Sequence, residues 1–270
     1  MARTIIVTGG SSGVGLAAAE QFAALGDQVV LVGRTPARLD AAVERVRAAG
    51  NGREPGRFRA DFEKLAEVRE LAASLLEAYP EIDVLASNAG GMVGEYRRTE
   101  DGYEATIQGN HLGPFLLATL LRERLAGGRL VSTASQAHRG GRPDPDDFTG
   151  DPAKYRSWTA YGAAKTANIL FAAEAARRWP DITSVSFHPG VVRSNFGVGK
   201  VTRFFYRWAP GLVPPEKAGA LLVWLATAPA AELTDGGYYV GREPARPLAY
   251  ASDPAAAARL WEASEAAVAK

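Results

Sequence analysis

A tyrosine and a lysine four residues apart are the side chains of this sequence best suited to proton transfer. Tyr161 and Lys165 lie in the helical pattern WTAYGAAK, and positions i and i+4 share one face of a helix. A free tyrosine titrates at about pH 10, and a neighbouring ammonium favours the phenolate, which would bring the phenol towards a useful acid/base range. Taken alone, the spacing is more typical of an amphipathic tyrosine beside a lysine whose amine reaches solvent.

Other polar residues follow predicted strands or lie on the helix after one. Ser135 follows the fifth predicted strand, Asn110 lies in the fourth helical segment, and HPGVVRS, residues 188–194, follows the sixth strand. The carboxyl ends of parallel strands meet at one sheet edge, so a single cleft could gather these groups. Ser132 is a less favoured alternative to Ser135. His138 could act as an additional acid or base, but we favour a hydrogen-bonded loop histidine.

A glycine-rich turn, TGGSSGVG at residues 8–15, follows the first predicted strand and opens the first helix. Such a turn lets the backbone approach a pyrophosphate, and the helix N-terminus supplies N–H donors and a favourable dipole. A tight strand-to-helix turn without a ligand is the alternative. The predicted dinucleotide contacts in this turn are Gly9, Ser11, Ser12, Gly13 and Val14.

The end of the second strand indicates which dinucleotide would bind. An acidic residue there would bind the ribose 2′-OH of NAD, but the sequence is VGRT, and Arg34 could pair with a 2′-phosphate. NADP(H) is therefore predicted in preference to NAD(H). Arg38 could assist Arg34, and the alternative is that Arg34 is only a surface residue.

Two further strand ends carry candidate cofactor contacts. Asp61, followed by Phe62, ends the third strand, where it could accept from an adenine amino group, cap the helix starting near residue 63, or do both. Asn88, Ala89 and Gly90 follow the fourth strand, where small residues would let a ribose lie against the backbone. Asn88 could equally be a simple turn residue.

Short apolar runs alternate with longer Ala-rich helical patterns along the whole chain. This alternation predicts an α/β fold, a doubly wound and mostly seven-stranded parallel sheet with helices on both faces. We expect one domain over residues 1–270, with a long aromatic segment at 194–215 that is a substrate lid or plain packing. The strands are predicted at 4–8, 28–33, 57–60, 82–87, 129–133, 182–187 and 237–240, and the helices at 14–25, 36–49, 65–79, 102–125, 155–179 and 215–228.

Composition excludes several classes of function. The chain has 270 residues with a net charge of +1, so no basic footprint for nucleic acid is predicted. It has no cysteine, and its three histidines lack metal-ligand spacing, so neither thiol chemistry nor a bound metal is expected. Neither a signal peptide nor a membrane span is predicted, and we expect a cytoplasmic protein.

Taken together, these motifs resemble those of the short-chain dehydrogenase/reductase family. TGGSSGVG, SNAG, the Asn110 helix, Ser135, Tyr161 with Lys165, and HPGVVRS occur in the family's order, over nearly the whole chain. The stretches GNHLGPFLL, SQAH and KTANILF, with the tail ARLWEASE, resemble the retinol dehydrogenase and WW-domain oxidoreductase branch. The resemblance implies a Rossmann sheet of order 3-2-1-4-5-6-7.

The resemblance also implies a role for each matched residue. Tyr161 would exchange a proton with the substrate oxygen, Lys165 would lower its pKa and bind the nicotinamide ribose, and Ser135 would hydrogen-bond the same oxygen. Asn110 would hold a relay water. The loop after the sixth strand would orient the carboxamide through Pro189, Gly190, Val192 and Ser194. Ser194 stands where the family more often has threonine, and Ala134 where this branch often has serine.

The predicted activity is NADP(H)-dependent hydride transfer between nicotinamide and a carbonyl or alcohol carbon. The aromatic residues between 196 and 208 would favour an apolar substrate. Trp158 and Met92 are weaker candidates for the pocket wall. A non-catalytic NADP(H)-binding regulator and a C=C reductase are the alternatives. The segments 102–125 and 155–179 could form a homodimer interface, as in many family members.

Overall fold

The fold is known from a computed structural model, which describes residues 2–50, 52–193 and 211–269. Its centre is one sheet with the strand order β3-β2-β1-β4-β5-β6-β7-β8. All neighbouring strands are parallel except β7 and β8, which pair antiparallel. The strands are β1 (Thr4–Thr8), β2 (Gln28–Gly33), β3 (Gly56–Arg59), β4 (Val84–Ser87), β5 (Arg129–Thr133), β6 (Thr183–His188), β7 (Tyr238–Val240) and β8 (Glu243–Pro244).

Helices connect these strands and cover both faces of the sheet. They are α1 (Gly13–Ala24), α2 (Pro36–Ala49), α3 (Leu65–Ala78), α4 (Ala105–Ile107), α5 (Gly113–Leu121), α6 (Ser157–Arg178), α7 (Pro215–Thr227) and α8 (Pro254–Val268). None of the helices in the described part of the chain combines the length and apolar character that crossing a membrane requires.

The predicted strand order is confirmed, with one addition. β8 adds an eighth, antiparallel strand at the edge, where Tyr239 pairs with Pro244 and Val240 with Glu243. A strand of two residues is too short to show an alternating pattern, so β8 could not be predicted from the sequence. Pro244 of β8 lies at the edge of the sheet, where the missing N–H donor of a proline is tolerated.

The predicted helix at 102–125 is not continuous. A π-helical turn at Gln108–Leu112 separates α4 from α5, and a 3-10 turn at Arg122–Leu125 ends the segment. The predicted helical segment is therefore present from Ala105, three residues later than predicted, and changes its helix type along its length. π-Turns of this kind occur mostly inside longer helices and often at functional sites, and this one contains Asn110.

Helix α8, which the pattern analysis did not include, covers α5 and α6. Trp261 of α8 packs at ring-centroid distances of 5.0 Å from Phe115, 5.6 Å from Phe171 and 5.1 Å from Trp179. As a result, nearly every residue of α6 between 161 and 175 is buried. A homodimer interface formed by the segments 102–125 and 155–179 stays a prediction.

Candidate functional site

The predicted proton-transfer pair lies on one buried face of α6. The Lys165 Nζ atom is 5.4 Å from the centroid of the Tyr161 ring. Tyr161 is 8% exposed and Lys165 is 2% exposed. The lysine does not extend to solvent, so the alternative of a solvent-reaching lysine does not fit this position.

Lys165 is a buried cation held by neutral groups. Its Nζ donates to the backbone oxygen of Thr133 at the end of β5, at 3.0 Å, and Asn168 Nδ2 donates to the same oxygen at 3.1 Å. The salt bridges of the described residues include none to this amine. Burial without a carboxylate lowers the pKa of Lys165 from its ordinary value of 10.5 to about 8.

Asn110 is clamped to the backbone beside this pair. Its Oδ1 accepts from the N–H of Gly91 at 2.9 Å, and its Nδ2 donates to the Gly91 oxygen at 2.9 Å and to the Thr106 oxygen at 2.8 Å. A Cβ built on Gly90 would lie 3.4 Å from Lys165 Nζ. The π-helical turn thus brings Asn110 and the loop after β4 to the amine.

Ser135 lies at the carboxyl end of β5 and caps a 3-10 turn. Its Oγ accepts from the N–H of Ala137 at 3.1 Å, which leaves the hydroxyl proton available to a ligand. Ser132, the alternative, lies within β5, is fully buried, and pairs in register with Ser87 and Ser186. The structure therefore favours Ser135 as the serine that can meet a substrate.

Close packing fixes the Ser135 loop against α6. The Thr166 Oγ1 atom lies 3.0 Å from the His138 oxygen and 2.7 Å from the Gly141 oxygen. A Cβ at Gly141 would overlap the backbone of Thr159 and Ala163, so only glycine permits this approach. Thr166 and Gly141 therefore set the position of Ser135 relative to Tyr161.

The histidines have structural bonds. His138 Nδ1 contacts the Ser135 oxygen at 2.7 Å and its Nε2 faces the N–H of Leu248 at 3.4 Å, an arrangement that fits the neutral Nδ1–H tautomer. Burial lowers the pKa of all three histidines. The pKa of His188 falls to about 4 and that of His111 to about 3. All three are therefore neutral at pH 7, and His138 matches the favoured interpretation of a loop histidine.

The glycine turn presents an uncapped helix N-terminus. Ser12 stands at the N-cap of α1 but makes no side-chain hydrogen bond there, so the first N–H groups keep their bonding capacity. Gly13 has φ +55°, and a Cβ built on it would meet nothing within 4 Å. The predicted contacts Gly9, Ser11 and Val14 lie on the same turn, which leaves open space in front of the helix.

Asn88 and Ala89 hold the sheet edge beneath this turn. The N–H groups of both donate to Thr8 Oγ1 at 2.9 Å. Asn88 Nδ2 donates to the Thr8 oxygen at 3.1 Å, and its Oδ1 accepts from Thr133 Oγ1 at 3.2 Å. Asn88 therefore joins the ends of β1, β4 and β5. A simple turn residue, the alternative considered from the sequence, would not make these contacts.

Arg34 follows β2 at the corner next to the glycine turn. Its side chain is 63% exposed, and its Nη1 lies 3.4 Å from Glu63 Oε1. Arg38 is exposed on the first turn of α2. Sequence reasoning missed Arg59, which pairs in register with Gly33 and whose side chain is half exposed. Only the strand register shows that this second cation lies at the same corner.

Asp61, which follows β3, does not have the helix-capping role that was one of its predicted roles. Asp61 Oδ1 accepts from the N–H of Glu63 at 3.1 Å, but α3 begins at Leu65, whose N–H donates to Asp101 Oδ2 at 3.0 Å. Asp61 is therefore not the helix cap. The Phe62 side chain is buried in the apolar core, so a contact from Phe62 to a cofactor would have to come from its backbone.

The loop after β6 is anchored on the segment before α7. Val192 pairs with Val213 in an isolated parallel bridge, and Gly190, which follows Pro189, packs directly on the same valine. Ser194 and the aromatic residues of the predicted lid up to residue 210 lie outside the described residues. Residues 211 to 214 of the lid range lead into α7, which begins at Pro215.

Comparison with known proteins agrees with this fold. The sequence profile described as short chain dehydrogenase matches residues 3–202. This chain therefore belongs to the short-chain dehydrogenase/reductase family. It is an oxidoreductase that acts on CH–OH or C=O groups, and the family binds NAD or NADP.

The relatives confirm the predicted branch. The "Putative daunorubicin C-13 ketoreductase" of Streptomyces sp. (strain C5) is 53% identical over 266 residues, which cover 98% of this chain and 92% of the relative. Retinol dehydrogenase 13 of Homo sapiens is 33% identical over 275 residues, which cover 97% and 83%.

Solved structures share the fold. A protein from Mycobacterium Paratuberculosis is 29% identical with a TM-score of 0.80, covering 99% of this chain and 94% of that one. The L-sorbose reductase of Gluconobacter frateurii, complexed with NADPH and L-sorbose, is 22% identical with a TM-score of 0.70, covering 88% and 94%.

Proposed function

We propose that this protein is an NADPH-dependent reductase of apolar aldehydes or ketones. The observation that carries the proposal is the buried Lys165 ammonium beside Tyr161, at the sheet edge where Ser135 has a free hydroxyl proton. A buried cation without a carboxylate costs free energy, and such a cost is typical of functional sites. The reverse reaction, oxidation of the corresponding alcohol, uses the same groups.

The residues at this edge fit a nicotinamide dinucleotide. The uncapped N-terminus of α1 and the open space at Gly13 suit a pyrophosphate. Asp61 suits the adenine amino group. Ala89 has only a methyl side chain and Gly90 has none, which suits a ribose lying against the backbone. The buried amine of Lys165 has donors to spare for ribose hydroxyls. The loop of Pro189, Gly190, Val192 and Ser194 would hold the carboxamide.

The chain's own side chains supply the proton chemistry. A bound NADPH would supply the hydride. Ser135 donates a hydrogen bond to the substrate oxygen, and Tyr161 donates the proton to that oxygen as the carbonyl is reduced. The Lys165 ammonium stabilises the phenolate that Tyr161 leaves behind, since opposite charges attract strongly in a buried site. Asn110 holds the loop after β4 beside Lys165. From this position it would hold the relay water through which Tyr161 regains its proton.

The preference for NADPH rests on charge at the end of β2. Arg34 is exposed, and Arg59 pairs in register with the preceding residue, Gly33, so a second arginine lies at the corner proposed for a 2′-phosphate. Arg34 contacts Glu63 and Arg59 contacts Glu67, and both arginine side chains stay at least half exposed. A dianionic phosphate offers a bidentate partner for arginine that a ribose hydroxyl does not.

A non-catalytic regulator would also bind the dinucleotide, but it has no use for an unpaired buried lysine beside a tyrosine. A C=C reductase remains the second candidate, because hydride delivery needs the same cofactor contacts. A substrate panel separates the two, since an enone reduced at its alkene and an isolated ketone give different products.

The test combines cofactor titration with turnover. Calorimetric titration with NADPH and NADH should show tighter binding of NADPH, and Arg34→Ala should remove that preference. Oxidation of NADPH by an apolar ketone should fall at least about 1000-fold in Tyr161→Phe, since general acid catalysis and orientation are lost together. Equal binding of both cofactors by the wild type would refute the NADPH preference. Turnover that survives in Tyr161→Phe would refute the catalytic assignment.

A further inference from the structure

The surface next to the catalytic tyrosine carries an aromatic ring with an unusual exposure. Trp158 is 50% exposed. The other tryptophans of the described residues, at 179, 224 and 261, are all more deeply covered. Phenylalanine and tyrosine side chains in the described part of the chain are likewise buried or partly covered. A large aromatic ring left in water forgoes the favourable free energy of burial.

The position of Trp158 ties this ring to the reaction. It precedes Tyr161 by three residues, so both lie on one face of α6, and their ring centroids are 6.5 Å apart at an interplanar angle of 84°. The indole makes this contact and still leaves half of its surface exposed. Lys165 lies one turn further along α6, so the indole and the amine flank the phenol from opposite directions along the helix.

Two further apolar side chains are exposed in loops near the catalytic groups. Val191, in the loop after β6, is 44% exposed, and Leu248, whose N–H faces His138 next to Ser135, is 42% exposed. Exposed apolar side chains therefore follow the same sheet edge as the catalytic groups. Surface patches of this kind mark ligand sites.

We propose that Trp158 is the specificity-determining residue for a flat aromatic ketone, whose ring system stacks on the indole while its carbonyl meets Tyr161 and Ser135. This inference rests on the proposed function. The reaction balances as one hydride from NADPH to the carbonyl carbon and one proton from Tyr161 to the oxygen, which gives the alcohol and NADP⁺. An offset stack uses the face of the indole, and a saturated ring of equal size cannot reproduce it.

The experiment compares acetophenone with cyclohexyl methyl ketone, which have rings of six carbons each, the first flat and aromatic and the second apolar but puckered. The ratio of their kcat/KM values should fall at least about tenfold in Trp158→Ala and less than about threefold in Trp158→Phe, which keeps a flat ring. Leu25→Ala is the matched control. Leu25 is 59% exposed at the far end of α1, away from the site, and its loss should leave the ratio unchanged.

Each outcome decides a different question. If Trp158→Ala slows both ketones equally, the indole acts only by supporting Tyr161, and the stacking proposal is wrong. If the wild type reduces cyclohexyl methyl ketone as well as acetophenone, the flat-substrate class is wrong while the reductase function stands. If the wild type reduces no ketone at all with NADPH, the proposed function itself fails.

Discussion

Replacing Lys165 with methionine should abolish turnover and yet stabilise the protein at neutral pH. The folded state holds an ammonium that is 2% exposed, without a carboxylate partner among the described residues. A pKa lowered from 10.5 to about 8 corresponds to about 3 kcal/mol, at 1.36 kcal/mol per pH unit, of destabilisation at pH 7. Methionine leaves no unsatisfied acceptor, because Asn168 still donates to the Thr133 oxygen.

The sign of the pH dependence follows from proton binding. Between pH 8 and 10.5 the unfolded chain binds a proton at Lys165 that the folded chain does not, so wild-type stability rises with pH across this window. The stability advantage of Lys165→Met, about 2–3 kcal/mol at pH 7, should therefore shrink to less than about 1 kcal/mol at pH 10. Below pH 8 the full penalty remains in the wild type.

Urea unfolding at pH 7 and pH 10 measures this difference directly. The control is Lys217→Met on the exposed face of α7, which should change stability by less than about 0.5 kcal/mol at both pH values. A Lys165→Met variant that is no more stable than the wild type at pH 7, with a gap that does not change with pH, would show that this amine is not a desolvated unpaired cation. The electrostatic account of the site would then be refuted.

Three further outcomes follow from the same structure. The kcat/KM for ketone reduction should be level at neutral pH and fall as pH rises through about 8, because the Lys165 ammonium is lost; a profile still level at pH 9.5 would contradict this. Gly141→Ala should lower kcat and cost about 1–3 kcal/mol of stability, measured by urea unfolding, because its Cβ would overlap the Thr159 oxygen and displace the Ser135 loop; unchanged kinetics would show that the loop tolerates the shift. Trp261→Ala should cost about 3–5 kcal/mol in the same assay, since the ring is buried among three other aromatics; a loss below about 1 kcal/mol would show that α8 contributes little.

Local pattern was sufficient for much of the architecture. Runs such as Val29 to Val32 are apolar without alternation because both faces of a central parallel strand are covered, so the pattern alone indicates the sheet. β1, β2, β5 and α2 begin and end at their predicted residues. The pairing of Tyr161 with Lys165 is also local, because helical geometry places residues four apart on one face whatever surrounds them.

Burial and cross-chain contacts were decided only by the tertiary structure. The sequence does not show that Lys165 lacks a counter-charge, because that depends on every element packed around it. Asn110 lies in a π-turn, and its side chain accepts a hydrogen bond from Gly91, 19 residues away. The N–H of Leu65 at the start of α3 donates to Asp101 from a distant loop and not to Asp61. The addition of β8 likewise rests on an edge pairing that carries no sequence period.

The sequence by itself therefore determined the order of strands and helices, the glycine turn and the spacing of the proton-transfer pair, since these follow from the short-range periodicity of the backbone. The tertiary structure decided which charges are buried, which ring stays exposed and what α8 covers. The physical reason is that desolvation and packing depend on neighbours far apart in the chain. Trp158 and Trp261 are the same residue type in similar helices, and only their surroundings make one exposed beside Tyr161 and the other part of the core.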